Sequence, residues 1–163
     1  MATNDRVLPN FQRASVPMMV LWMFLTLGLF APWWLYRQSR VVNAHCKTFK
    51  IPELLVHAGM ISLVVYTLLI VLHVVRNAGQ VPLPPAPVSL QIAAVAAQLL
   101  MIAWTLFVRQ GINLLSGAKL NDQHWLSLPF VIFAMFIGLF SLPAAPLYMQ
   151  FKINSILQAR RAT

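Results

Sequence analysis

The amino-acid sequence predicts an all-helical integral membrane protein with four hydrophobic segments, and three observations support this fold class. Of the 163 residues, 60% are hydrophobic and only 9% are charged, whereas about a quarter of a typical soluble domain is charged. The apolar residues form blocks of about 20, the length that crosses a hydrocarbon core of about 30 Å. The basic residues collect at the ends of these blocks, where positive charge anchors helices to lipid headgroups.

The first hydrophobic segment covers residues 16–36 and follows a polar N-terminal tail of residues 1–15. Pro32 lacks a backbone donor, so it is expected to kink or stop the helix near Gly28. The segment closes with aromatic and basic side chains in the order that marks a membrane–water interface, namely Trp33, Trp34, Tyr36 and Arg37. A loop with four basic residues is predicted to follow, over residues 37–50.

The second and third segments, residues 54–75 and 88–108, have the character of plain spanning helices. Pro52 suits the first turn of a helix, and the carboxylate of Glu53 suits the positive end of its dipole. The four prolines between residues 81 and 87 separate the two segments, because they prevent a continuous helix.

The fourth segment covers residues 126–151 and is preceded by a polar loop predicted over residues 109–125. Its second half contains Gly138 and two prolines, so it is expected to be broken like the first segment. The sequence therefore predicts one helical membrane domain over residues 16–151, with a short basic tail over residues 152–163.

The first and fourth segments resemble each other. Glycine, proline, tyrosine and a closing asparagine recur between residues 28–43 and 138–154 with an offset of 110 to 112 residues. A weaker third copy ends the third segment, at Trp104, Arg109 and Asn113. We interpret these stretches as internal repeats.

Two topologies are compatible with this pattern. Four full crossings place six basic residues on each side, so that the positive-inside rule gives no orientation. If the two broken segments only dip into the bilayer and return, eleven of the twelve basic residues share one side and Arg76 lies on the other. Because re-entrant backbone must be shielded from lipid by protein, we expect four crossings and keep two crossings as the alternative.

The sequence favours neither an enzyme nor a metal or cofactor site. The apolar segments contain no Asp, Lys or Arg, although an ionisable group inside the membrane is the usual mark of proton or ion handling. His57 and His73 lie about 160° apart around one helix, so they do not share a metal. His45 and Cys46 are adjacent in the chain and lack a third group to orient them. The net charge of +9 sits at segment ends rather than among aromatic residues, which argues against nucleic acid.

Two sets of candidate functional residues remain. The first set combines aromatic, basic and amide side chains at segment ends, as an interfacial anchor or a contact with anionic lipid headgroups: Trp33, Trp34, Tyr36, Arg37, Asn43, Arg109, Asn113, Gln150, Lys152 and Asn154. The second set combines small and polar residues that let membrane helices pack closely: Gly59, Ser62, Tyr66, His73, Ala93, Ala97 and Gln98.

The stretch Thr26-Leu27-Gly28-Leu29-Phe30-Ala31-Pro32-Trp33-Trp34-Leu35-Tyr36-Arg37, followed by Val42-Asn43, resembles the signature of the bacterial domain-of-unknown-function family 4234. The closing stretch from Gly138-Leu139 to Asn154 is similar to the end of that family. Phe30 and Trp33 stand where tyrosine is common in the family, and its pattern does not lead one to expect Pro143 and Pro146. The resemblance implies a multi-pass protein of the bacterial inner membrane and implies no activity.

The sequence thus predicts a non-catalytic membrane module, a scaffold or accessory subunit that binds lipids, partner membrane helices or a second copy of itself. The alternative is a small transporter or lipid-handling carrier with a polar cleft between its helices. In that case Arg37, Asn43, Tyr66, Gln98 and Asn154 are expected to converge on one cavity.

Overall fold

The chain folds into α-helices, which confirms the predicted helical class. The computed structural model describes residues 14–26, 29–62, 65, 69, 88–117, 125–138 and 144–159. Within these parts there is no strand, and the helices are α1 (Val16–Leu25), α2 (Phe30–His45), α3 (Glu53–Ser62), α4 (Val88–Ser116), α5 (Leu128–Gly138) and α6 (Ala144–Ala159).

The break predicted in the first hydrophobic segment is present between α1 and α2. The hydroxyl of Thr26 donates to the carbonyl of Trp22 at 2.7 Å and accepts the N–H of Phe30 at 3.0 Å. This side chain therefore ends one helix and begins the next. Pro32 lies in the first turn of α2, where its missing N–H has no partner to lose.

Three helices continue well past the apolar blocks from which their ends were predicted. The loops predicted from residues 37 and 109 are wrong at their beginnings, because the chain stays helical through His45 and Ser116. The basic segment that starts at residue 152 begins inside a helix that continues through Ala159. Basic side chains are favourable near the negative end of a helix dipole. The end of a hydrophobic block therefore marks a change of environment rather than the end of the helix.

Among the described residues, only Ile92–Ser116 of α4 is long and apolar enough to cross a membrane. Of its most apolar window, 28% is buried inside the protein. The four predicted crossings are therefore not confirmed. At a rise of 1.5 Å per residue, α1 and α5 are about 15 to 17 Å long and α2 and α6 about 24 Å, all shorter than a hydrocarbon core of about 30 Å.

The three long helices α2, α4 and α6 contact one another and form the centre of the molecule. α2 and α4 run in the same direction, because Trp104 bonds Ser39 and, further along both helices, Gly111 packs on Val42. Each long helix is paired with the shorter helix before it in the chain. We name these pairs unit one (α1 and α2), unit two (α3 and α4) and unit three (α5 and α6).

In unit three the two helices fold back on each other as a hairpin. The ring of Tyr148 on α6 stacks on Phe130 near the start of α5, with ring centroids 6.1 Å apart. The Tyr148 hydroxyl is hydrogen-bonded to the backbone of Ser127. The chain therefore leaves from one end of the molecule in α5 and returns to that end in α6.

Unit two has the same geometry over its described part. Gly59 of α3 packs directly on the indole of Trp104 of α4, so closely that an added Cβ would lie 3.1 Å from Cδ2 of the ring. α3 begins at the end of the molecule where α4 finishes, as the hydrogen bonds of Asn43 and Asn113 described below require.

Candidate functional site

Two asparagines near the ends of long helices hold the start of the following unit with paired hydrogen bonds. Asn43 accepts the N–H of Ile51 at 2.7 Å and donates to the Ile51 carbonyl at 2.9 Å. Asn113 accepts the N–H of Leu126 at 2.9 Å and donates to the Leu126 carbonyl at 3.2 Å. In both cases one carboxamide satisfies the donor and the acceptor of a residue just before a helix, a contact that we call an asparagine clamp.

A third asparagine makes a related contact that closes a ring. Asn154 of α6 donates to the carbonyl of Ala14 at 2.7 Å, across 140 residues of sequence. Its side-chain oxygen accepts a hydrogen bond from Gln150 at 2.9 Å. Unit one is thus held to unit two, unit two to unit three, and unit three back to unit one. The result is a closed, pseudo-threefold arrangement.

The three clamped residues begin helices that share a sequence pattern. The fifth residue after Ala14, Ile51 and Leu126 is buried in each unit. These core residues are Met19, Val56 and Val131. The ninth residue is methionine in all three units, at Met23, Met60 and Met135. The internal repeat therefore has three copies, and each consists of a clamped helix start followed by a long helix with a closing asparagine.

The long helices also share their buried positions, counted backwards from the closing asparagine. Positions nine, five, four and one residues before it are buried in all three units. In unit one they are Trp34, Gln38, Ser39 and Val42; in unit two, Trp104, Val108, Arg109 and Ile112; in unit three, Ala145, Met149, Gln150 and Ile153. Because burial repeats at the same register, the three long helices present equivalent faces to the centre.

Two of the three contacts between units are closed by a buried indole. Nε1 of Trp34 donates to the side-chain oxygen of Gln150 at 2.9 Å, which joins unit one to unit three. Nε1 of Trp104 donates to the Ser39 hydroxyl at 2.8 Å, which joins unit two to unit one. In both pairs the indole is nine residues before its asparagine, and the acceptor is four residues before the asparagine of the neighbouring unit.

The third contact, between units three and two, has different chemistry. The position that carries an indole in the other units is Ala145, and the position that carries its acceptor is Arg109. Arg109 is only 8% exposed, and its Nε donates to the Leu126 carbonyl at 2.6 Å. Its guanidinium lies over the Trp125 ring, 5.6 Å from the centroid. Tyr148 of α6 is close enough to interact with it electrostatically.

The charge of Arg109 is not balanced by a carboxylate in the described part of the chain. The three acidic residues are Asp5, Glu53 and Asp122. Of these, only Glu53 is among the described residues, and it is exposed at the start of α3. Buried cations ordinarily have a partner, so the surroundings of Arg109 make the third contact a candidate binding site for an anion.

The structure divides the interfacial residues predicted from the sequence into two groups. Trp34, Arg109, Gln150 and the three closing asparagines are hydrogen-bonded within the protein. The side chains of Trp33, Tyr36, Arg37 and Lys152 are exposed or half-buried, and Arg37 lies over the Trp33 ring at 5.8 Å. The first group holds the units together, whereas the second lies at least partly on the surface of the described structure.

The residues predicted to mediate helix packing are partly in contact. Gly59 packs on Trp104, and Ala97 is 5% exposed. Ala93 is exposed, while Ser62 and Gln98 are half-buried. Tyr66 and His73 lie outside the described residues. Of the predicted cavity set, Asn43 and Asn154 are hydrogen-bonded to different segments of backbone.

Four residues of this region were not among the sequence-based candidates, namely Ser39, Trp125, Ala145 and Tyr148. The shared spacing of the helix starts, with methionine nine residues after each clamped position, is the sequence signal that aligns all three copies. In the aligned copies, Ala145 stands where the other two units have a tryptophan, and Arg109 stands where they have a neutral hydrogen-bond acceptor.

Comparison of the chain with protein-family models, with curated proteins and with solved structures finds no match. The resemblance to family 4234 therefore stays a prediction.

Proposed function

We propose that this chain is a non-catalytic integral membrane module, built from three helical units that enter the bilayer from one side. The observation that carries the proposal is the ring of clamps, because each unit begins and ends at the same end of the molecule. This favours the two-crossing alternative, in which unit two reaches the far side and units one and three are shorter.

The distribution of charge supports the same orientation. The described basic residues lie on or beside the clamped ends of the long helices, and they are Arg37, Arg40, Lys47, Lys50, Arg109 and Lys152. Positive charge at one membrane face binds anionic headgroups and sets orientation toward the cytoplasm. The expected location is the bacterial inner membrane, which also follows from the resemblance to family 4234.

The outward faces of the helices support a lipid environment. Trp22, Phe24 and Leu25 on α1 are between 47% and 65% exposed. Phe130 and Phe133 on α5 are 63% and 62% exposed. Exposed apolar surface on this scale marks a membrane or partner interface in a stable protein. Hydrocarbon chains or the helices of another membrane protein would cover these side chains.

The first half of α4 is the expected surface for a partner helix. The start of α4 lies twelve residues further from Asn113 than the start of α2 lies from Asn43. α4 therefore extends about 18 Å beyond α2. Exposed aliphatic residues lie along this extension, at Val88, Ile92, Val95 and Leu99. Together with the small residue Ala93, they allow a second helix to approach closely.

Extraction in a mild detergent followed by native mass spectrometry tests this proposal. The expected particle retains anionic phospholipid, a second copy of the chain or another membrane protein. A strictly monomeric particle without lipid would contradict it, as would release of the chain from membranes by alkaline carbonate.

A further inference from the structure

We propose that the contact between units two and three is a binding site for a phosphate group, held by Arg109 beside the Trp125 ring. The proposal rests on the membrane function above, and it names the chemical group that the basic end of the molecule recognises.

The first argument is the comparison of the three equivalent contacts. An indole fills the contact at Trp34 and again at Trp104, and each donates to a neutral side chain of the neighbouring unit. At the third contact a methyl group replaces the indole, because the equivalent residue is Ala145. An aromatic side chain buries roughly 150–250 Å², so this exchange removes most of the group that packs the other two contacts.

The second argument is the charge and donor count of Arg109. A guanidinium carries five N–H donors, and among the described residues only the Nε donor is bonded, to the Leu126 carbonyl. The remaining donors form a planar fork, which matches two oxygens of a phosphate. A neutral acceptor in this position, as in the other two contacts, would offer no such fork.

The third argument is the position of the site relative to the membrane face. Arg109 lies four residues before the closing asparagine of α4, at the end of the molecule that carries the described basic residues. Arg109 lies over the Trp125 ring, and Tyr148 is hydrogen-bonded to the backbone of Ser127, which follows Leu126 in the chain. Amphipathic aromatic rings favour the headgroup level of a bilayer. The phosphate of an anionic lipid and a soluble phosphate ion share the chemistry recognised here.

A pair of variants separates charge from structure. Arg109→Lys and Arg109→Gln both remove the Nε hydrogen bond to Leu126, but only the lysine keeps a cation. Arg40→Gln is the matched control for the loss of one positive charge from the same end of the molecule, because Arg40 is exposed on α2 and, among the described residues, hydrogen-bonds only Tyr36, at 3.4 Å. The measurement is retention of phosphatidylglycerol, whose phosphate is its only charged group, relative to phosphatidylcholine, whose phosphate is neutralised by choline, by the purified full chain in native mass spectrometry.

Arg109→Gln is expected to lower the preference for phosphatidylglycerol about tenfold, which corresponds to the loss of about 1.4 kcal/mol of binding. Arg109→Lys is expected to keep part of the preference, because the cation stays and the planar fork is lost. Arg40→Gln is expected to keep most of it. Ala145→Trp, which restores the third indole, is expected to abolish it while the thermal unfolding temperature stays at or above that of the parent chain.

Equal preference in Arg109→Gln and the parent chain would overturn the proposal, and so would equal losses in Arg109→Gln and Arg109→Lys that follow a common loss of stability. Asp122→Asn tests whether a carboxylate of the chain itself occupies the site, because it removes the acidic residue nearest in sequence to Trp125. Unchanged preference in this variant supports the proposal. A tenfold rise would show that a carboxylate occupies the site and would overturn it.

Titration with inorganic phosphate distinguishes the two sources of the group. If millimolar phosphate displaces phosphatidylglycerol, the ligand of the site is a soluble phosphate compound. If the lipid stays bound under the same conditions, the ligand is the lipid headgroup. If lipid remains bound by carbonate-resistant protein but without preference for phosphatidylglycerol, the phosphate site fails while the membrane function stands.

Discussion

Asn113 is almost completely buried and bonds both backbone groups of Leu126, which is itself fully buried. Asn43 makes the same pair of bonds to Ile51 but is half-buried, so water reaches it more easily. The two clamps therefore have the same geometry and different solvation. The energetic value of a hydrogen-bonded group depends strongly on that difference.

Asn113→Ala is expected to lower the free energy of unfolding by about 2–3 kcal/mol, because it removes two hydrogen bonds and leaves the buried N–H of Leu126 without a partner, while the Leu126 carbonyl keeps its bond from Arg109. Asn43→Ala is expected to cost less, about 1–2 kcal/mol. Unfolding of both variants in mixed detergent micelles, with Lys47→Ala as an exposed control, measures the difference. A cost for Asn113→Ala no larger than that for Lys47→Ala would show that the clamp does not stabilise the fold.

The sequence indicates the closing asparagines and Arg109 as candidates but does not reveal what they contact. Their repeated position after an apolar helix is a local pattern, whereas the partners of Asn154 and Trp34 lie 140 and 116 residues away. Such partners follow only from the ring closure of the three units. For the same reason, Ala145 gives no local signal of its role.

At the scale of the elements, hydrophobic blocks predict where helices begin better than where they end. α4 begins at Val88 as predicted and continues through Ser116, eight residues past the predicted end of its apolar segment at residue 108. Those eight residues include Ile112 and Asn113, which are buried inside the protein. Where a helix continues beyond its hydrophobic block and still packs on protein, its amino-acid composition changes while its backbone stays helical.

The contact between α2 and α4 depends on a glycine. A Cβ at Gly111 would lie 2.7 Å from Cγ2 of Val42 and closer still to its Cγ1. Gly111→Ala gains about 1 kcal/mol of helix propensity, but the clash is expected to cost about 1–3 kcal/mol. The clash therefore outweighs the gain wherever the helices keep their spacing.

Combining Gly111→Ala with Val42→Ala relieves this overlap, so the double variant is expected to be more stable than the sum of the two single changes predicts. A double-mutant cycle with Val42→Ala as the reference variant measures the coupling. Simple additivity, or stabilisation by Gly111→Ala alone, would contradict the close approach of α2 and α4.

At the scale of the whole molecule, the composition predicts a helical membrane protein, but the number of crossings depends on geometry. Segments one and four are each about as long as a membrane span, yet each is divided into helices of 10 to 16 residues. Glycine and proline in the sequence indicate a break without giving the angle between the two halves. The stacking of Tyr148 on Phe130 shows that the two helices of unit three fold back on each other.

The central claim is that all three units begin and end on one side of the membrane, and labelling of single cysteines tests it most directly. Cys46 is buried, so Cys46→Ala provides the background for Lys47→Cys, Asn77→Cys and Thr163→Cys. With a membrane-impermeant thiol reagent, the cysteines at positions 47 and 163 are expected to react from the same side and the one at position 77 from the other. Reaction at positions 77 and 163 from one side and at position 47 from the opposite side would establish four crossings and contradict this account.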